Sequence, residues 1–141
     1  MEKYRDMTNR HQAEVNALPI YFAFSEKQFK DMLLRMGVSN PKAELYRSAG
    51  GGFYRKADAK LVRSTFARVA KELRDALTTS YEFAVDAFRF ELANHEFCIT
   101  YDLEDTIDAL GLTMEDFGRY PMLVDALAEA EKQYLKSCKE E

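Results

Sequence analysis

Gly50, Gly51 and Gly52 stand in a row between Arg47 and the pair Arg55-Lys56. A phosphate-cradling loop uses glycine so that backbone N–H groups can approach oxygens closely, usually where a helix begins. Here Phe53-Tyr54 follows as a strand-like pair, and neither GxxxxGK[ST] nor a helix-opening GxGxxG is present. The run is therefore expected to be the tight turn of an aromatic hairpin. The alternative is an anion site at Gly51, Gly52, Arg55 and Lys56. Further along, Lys60, Arg63, Lys71 and Arg74 recur, with Ala67 among them, at helical steps. At 100° per residue they fall within about 80° of one another, opposite the apolar side. Such a stripe is either a solvated helix face or a track for a phosphate backbone. No recognised nucleic-acid motif accompanies it.

The densest polar cluster is "NHEF", Asn94 to Phe97. Glu91 and His95 have ExxxH spacing, which sets two ligand types on one helix face, and Cys98 lies three residues on. A hydrolytic metal site needs at least three protein ligands and an open position. The only other histidine is His11, on the first predicted helix. No metal and no cofactor are expected. Asn94 and Glu96 are read as helix-ending groups and His95 as a local hydrogen-bonding partner. No nucleophile elbow and no general acid–base pair stands out, so the chain reads as a binding protein rather than an enzyme.

The net charge of −4 conceals a strong asymmetry. From Lys42 to Arg74 there are nine Lys/Arg and three Asp/Glu, a net of +6; from Asp75 to Glu131 there are two Lys/Arg and fourteen Asp/Glu, a net of −12. Block asymmetry of this kind bears on partners more than on fold. The acidic block sits partly at predicted helix N-termini, where the dipole favours it. Glu104, Asp105, Asp108, Glu115, Asp125 and Glu129 are expected to form a surface of one sign that engages a protein partner.

These groups have to be positioned by a single α+β domain, residues 1–141, the size of one ordinary domain. A hydrophobic fraction of 47% is globular composition and supplies a core without disulfide staples. Cys98 and Cys138 are expected to be reduced thiols. The opening "MEKYRDMTNRHQAEV" lacks the apolar centre of a secretory leader, and "LPIYFAF" is too short to span a bilayer. A cytoplasmic protein with no membrane partner is expected.

Periodicity predicts a helix over 2–17 ended by Pro19, then a short buried strand over Ile20–Phe24. Ser25 with Gln28 predicts a capped helix stopped by Gly37. Asn40-Pro41 predicts another helix start. A hairpin surrounds the glycines. Asp58 opens a helix over 59–77, whose inner face is Leu61, Val62, Phe66, Val69, Ala70, Leu73 and Leu77. Residues 81–93 are apolar on nearly all sides and are read as a buried helix, although "FRFEL" also alternates like a strand. "FCITY", 97–101, reads as a strand. Helices follow over 102–110, from Thr113 with its capping Asp116, and from Pro121 to about Lys139. The fold class is mainly helical α+β with three or four short strands.

The segments "YFAFSEKQF", "AGGGFYRK", "ELANHEF" and "LEDTIDALGL" occur in that order. Across residues 20–113 the chain resembles a family of small uncharacterised proteins carried by phages and mobile elements of gut bacteria. The resemblance implies an accessory protein acting in the bacterial host's cytoplasm, and it brings no activity with it.

Overall fold

The first helix, α1 (Tyr4–Asn16), leads through the Pro19 turn into a two-residue strand, β1 (Tyr21–Phe22), in the computed structural model, which describes residues 1–140. Helix α2 (Glu26–Met36) follows, then the single turn α3 (Pro41–Glu44), strands β2 (Leu45–Arg47) and β3 (Gly52–Arg55), and the long helix α4 (Ala59–Thr79). The remainder is helical: α5 (Tyr81–Asn94), α6 (Phe97–Thr100), α7 (Glu104–Ala109), α8 (Met114–Arg119) and α9 (Pro121–Glu140). The protein is thus mainly helical α+β with one three-stranded antiparallel sheet, of order β1-β3-β2. No described helix is long and apolar enough to cross a membrane.

The chain divides into two compact units, Gln12–Arg68 on one hand and Met1–His11 with the chain from Val69 onward on the other. The division falls inside α1 and α4. It also sorts the charge. Residues 12–68 carry ten Lys/Arg and five Asp/Glu, a net of +5, which leaves −9 to the other unit.

In the 12–68 unit the sheet has two differently furnished faces. The register pairs Tyr21 and Arg47 with Phe53, and Leu45 with Arg55, so these residues share one face. That face packs on α2, where Met32, Met36 and Phe29 meet Leu45, Tyr21 and Phe53. The rings of Phe29 and Phe53 stand 5.2 Å apart. Helix α2 begins as expected: the Ser25 hydroxyl accepts from the Gln28 N–H at 3.1 Å, while the Gln28 side chain accepts from the Phe24 N–H at 2.8 Å. Its end closes with the Gly37 N–H on the Leu34 carbonyl and the Val38 N–H on the Leu33 carbonyl. The sheet's second face presents Phe22, Gly52, Tyr54 and Tyr46. There Tyr54 packs with Ala59 and Val62 of α4, and with Ile20.

Two expectations are corrected here. Ile20–Phe24 is not a buried strand: β1 spans two residues, and Phe22 and Phe24 are 53% and 74% exposed. The strand lies at the sheet edge, and the residue opposite Phe22 is Gly52, which has no side chain to cover it. In the part of α4 that belongs to this unit, Leu61 and Phe66 are exposed while Val62 is buried; Ala70, in the other unit, is exposed as well. A sheet this narrow covers only one line of residues on this part of the helix, whereas Leu77 is buried and Leu73 packs in the core of the other unit, as periodicity predicts.

In the other unit α5 packs along α9. Ala84 and Ala87 of α5 and Ala126 and Ala130 of α9 are fully buried, and such small side chains let helix backbones approach closely. Phe83, Phe88, Leu92 and Leu123 fill the rest of the core. Residues 81–93 are thus part of a helix. Tyr4 ties α1 to α5 twice, its N–H on the Asp86 carboxylate at 2.9 Å and its hydroxyl on Glu91 at 2.7 Å. Burial and that contact with a carboxylate raise the Tyr4 phenol well above its ordinary range.

The predicted strand 97–101 is instead the helical turn α6, flanked by Glu96 and Tyr101, both in the left-handed region at φ +53°. Phe97 is buried and Ile99 and Tyr101 are exposed, without the alternation a half-buried strand requires. The capping box before α8 is present: the Thr113 N–H reaches the Asp116 carboxylate at 2.8 Å. Arg74 binds the same carboxylate at 2.5 Å. These two donors hold the Asp116 carboxyl at about 2, below its ordinary 3.8.

Candidate functional site

The second sheet face, with the residues of α1 and α4 that belong to the same unit, walls a cleft of about 560 Å³. Its apolar lining comes from Val15, Leu18, Ile20, Phe22, Val62 and Phe66. Four uncharged polar side chains open onto it, those of Gln12, Asn16, Ser48 and Tyr54, and Arg63 is its single charged lining residue. A largely apolar concavity with a few convergent polar groups is the usual form of a ligand site.

The glycine run shapes one edge of this cleft. Gly50 and Gly51 carry φ of +77° and +84° and turn the chain between β2 and β3, with the Ser48 N–H on the Gly52 carbonyl at 2.7 Å. The run is the turn of the hairpin. It also leaves space for aromatic rings. A Cβ on Gly51 would lie 2.9 Å from Cε1 of Phe24, and one on Gly52 would lie 3.1 Å from Cε1 of Phe22 and 2.7 Å from Cγ2 of Ile20. Phe22 and Phe24 therefore rest over bare backbone and stack on each other, centroids 6.2 Å apart and planes 12° apart. Their outer surfaces remain open to solvent.

Cations gather nearby. Arg63 and Lys56 both lie over the ring of Tyr46, at 4.8 and 5.0 Å from its centre. Such contacts hold a cation in place and leave its charge available. Among the described residues Arg63, Lys56 and Lys60 have no carboxylate within ion-pair distance. The other members of the sequence-derived basic set are differently placed. Arg55 donates to the Met36 carbonyl at 2.6 Å and lies over Tyr21. Lys71 pairs with Asp75 and Arg74 with Asp116, and both belong to the other unit. The unit thus holds Gly51, Gly52, Arg55, Lys56, Lys60 and Arg63 from that set. Gln12, Asn16, Phe22, Phe24, Tyr54 and Phe66 went unseen in the sequence. The one signal for the Phe pair was two phenylalanines two apart in a strand that a glycine run pairs with.

In the other unit Glu104, Asp105, Asp108, Glu115 and Asp125 are exposed, and Glu129 is half-buried, accepting from Gln133 at 2.9 Å. None of the six has an ion pair among the described residues. A groove of about 500 Å³, with Leu103, Ile107, Leu112 and Met114 along it and Glu104 and Asp108 beside them, lies in this region. The polar cluster at the end of α5 is used internally. Buried Glu91 receives the Tyr4 hydroxyl, Asn94 at 3.4 Å and His95 at 3.1 Å. Cys98 accepts from the Tyr134 hydroxyl at 3.2 Å. No group of three or more metal-ligating side chains occurs among the described residues.

Fold and cleft together define a mainly helical α+β protein with an aromatic-rimmed cleft against a small antiparallel sheet. The chain belongs to a family of unknown function (DUF7659), whose model matches residues 3–133. No curated protein and no solved structure matches it.

Proposed function

We propose that this chain is a non-enzymatic binding protein that holds single-stranded nucleic acid on its 12–68 unit. The observation that carries the reading is the exposed Phe22–Phe24 stack beside a cleft whose one charged group is an unpaired Arg63. Single strands are held by aromatic faces on which bases stack and by cations that follow the phosphates. The net charge of +5 on this unit suits such a ligand. The resemblance to phage and mobile-element proteins supports an accessory role in a bacterial host's cytoplasm.

The test is fluorescence anisotropy with a labelled single-stranded oligonucleotide across a salt series. Phe24→Ala is expected to weaken binding by about 1–3 kcal/mol, the usual worth of one stacked base. With three phosphate contacts, from Lys56, Lys60 and Arg63, log K should fall against log salt with a slope of about −2. Binding that is unchanged in both Phe24→Ala and the Lys60→Glu, Arg63→Glu double variant would sink the reading.

A second reading has its own observation in favour: carboxylates without ion pairs beside the Ile107–Met114 groove. On that reading Glu104, Asp105, Asp108, Glu115, Asp125 and Glu129 steer a basic protein partner. Reversal of Asp105 and Asp108 to Lys is then expected to slow capture of that partner and flatten its salt dependence.

A further inference from the structure

The cleft has a chemistry of its own beyond the exposed stack. We infer that it is a purine-nucleotide pocket, in which the base packs on the apolar lining that includes Phe22 and Phe66 and its phosphate meets Arg63. The inference rests on the nucleic-acid reading above for its phosphate chemistry, and it adds a site that the surface platform does not require. Three features combine. The lining is largely apolar and includes two part-exposed aromatic side chains, Phe22 and Phe66, which suits the larger ring system of a purine. At the rim, the Gln12 amide nitrogen donates to the Asn16 amide oxygen at 2.8 Å. That bond leaves the Gln12 oxygen as an acceptor and the Asn16 nitrogen as a donor, two complementary groups one helical turn apart on α1. Side-chain amides with a free acceptor and donor are the groups that read a purine's adjacent amino and ring-nitrogen positions. Third, Arg63 is steadied over Tyr46 at 4.8 Å, so its guanidinium is oriented without being neutralised.

The same chemistry is offered by a free nucleotide or by one nucleotide of a strand turned into the cleft. Equilibrium dialysis with adenosine 5′-monophosphate, adenosine and ribose 5-phosphate addresses the first source. Oligodeoxyadenylate and an abasic oligonucleotide of equal length address the second. The monophosphate is expected to bind, ribose 5-phosphate not to, and adenosine to bind about tenfold more weakly, a single charged hydrogen bond's worth. Arg63→Gln should abolish the difference between monophosphate and nucleoside. Phe66→Ala and the Gln12→Leu, Asn16→Leu double variant should weaken the monophosphate about tenfold or more, with far-UV circular dichroism unchanged. Competition of oligodeoxyadenylate, but not the abasic strand, with the monophosphate would support entry of a base from a strand. If the oligonucleotide binds through Phe24 while the monophosphate neither binds nor competes, and Phe66→Ala changes nothing, the pocket inference is overturned and the platform stands. Monophosphate binding with no oligonucleotide binding would instead support the pocket and overturn the strand reading. Absence of both would overturn both.

Discussion

The three adjacent glycines should respond to alanine for three different reasons, and Gly52 gives the sharpest test. Its φ of −87° is ordinary strand backbone, so alanine there meets no conformational penalty. The cost is steric. The new Cβ would sit 2.5 Å from Oγ of Ser48 and 2.7 Å from Cγ2 of Ile20, where normal contact begins near 3.4 Å. Both neighbours belong to the cleft wall, so β3 or the wall must move by several tenths of an ångström. Overpacking of this size costs about 1–3 kcal/mol. With a urea dependence of about 1–2 kcal/mol per molar, the unfolding midpoint should drop by roughly 0.5–3 M. Gly50→Ala is the control: it has open space around the new Cβ and a φ of +77°, so it meets only the left-handed penalty of about 1 kcal/mol. The two mechanisms separate in double-mutant cycles. Ile20→Ala removes the clashing methyl and should recover about 1 kcal/mol or more of the Gly52→Ala loss, while coupling to Gly50→Ala stays within about 0.5 kcal/mol. If Gly52→Ala unfolds at the wild-type midpoint, or shows no favourable coupling to Ile20→Ala, the close approach of β3 to the cleft wall is wrong.

Gly51→Ala combines both effects, a left-handed backbone and a Cβ 2.9 Å from the Phe24 ring, so it should lose oligonucleotide affinity where Gly50→Ala keeps it, as read by anisotropy. The depressed Asp116 carboxyl stabilises the fold above its ordinary 3.8. That contribution, on the order of 1–2 kcal/mol, should be lost as pH falls from about 4 to about 2. In urea titrations Asp116→Asn should be less stable at pH 6 and lose less over that acid window. Glu96 occupies the left-handed region at φ +53°, so Glu96→Gly should raise stability by roughly 0.5–1 kcal/mol in denaturant unfolding. Phe24→Ala, at a site 74% exposed, should change the unfolding midpoint by less than about 0.5 kcal/mol, which makes its binding loss interpretable.

Local chemistry was well written in the sequence. Ser25-Gln28, Asn40-Pro41, Thr113-Asp116 and Pro121 each mark a helix start that the structure contains, because caps act through groups within one turn. The hairpin around the glycines was legible for the same reason. What failed depends on neighbours distant in sequence. "FCITY" has strand-like residue types, yet among the described residues no strand pairs with it, and left-handed residues bound the turn on both sides. Phe66 follows Val62 by one helical step and Leu61 adjoins it, and the width of the sheet decides which of them is covered. In the basic stripe of α4 the later pair, Lys71 and Arg74, is neutralised by Asp75 and Asp116, the latter 42 residues from Arg74. The cleft was invisible because its walls come from α1, β1, β3 and α4, brought together only by folding.

The unit that holds the cleft is one continuous stretch, residues 12–68, whereas the other begins before it and resumes after it. Synthesis on the ribosome therefore treats them unequally. Every residue of the cleft-bearing unit has been made before the second part of the other begins. Tyr4, by contrast, must wait for Asp86 and for Glu91, 87 residues later, before its N–H and hydroxyl find their carboxylates. At about 5–20 residues per second that interval is roughly 4–17 s. Throughout it the nascent chain carries its first turn of helix without the α5 contacts that anchor it, so the earliest-made part of that unit stays unsecured until α5 has been made.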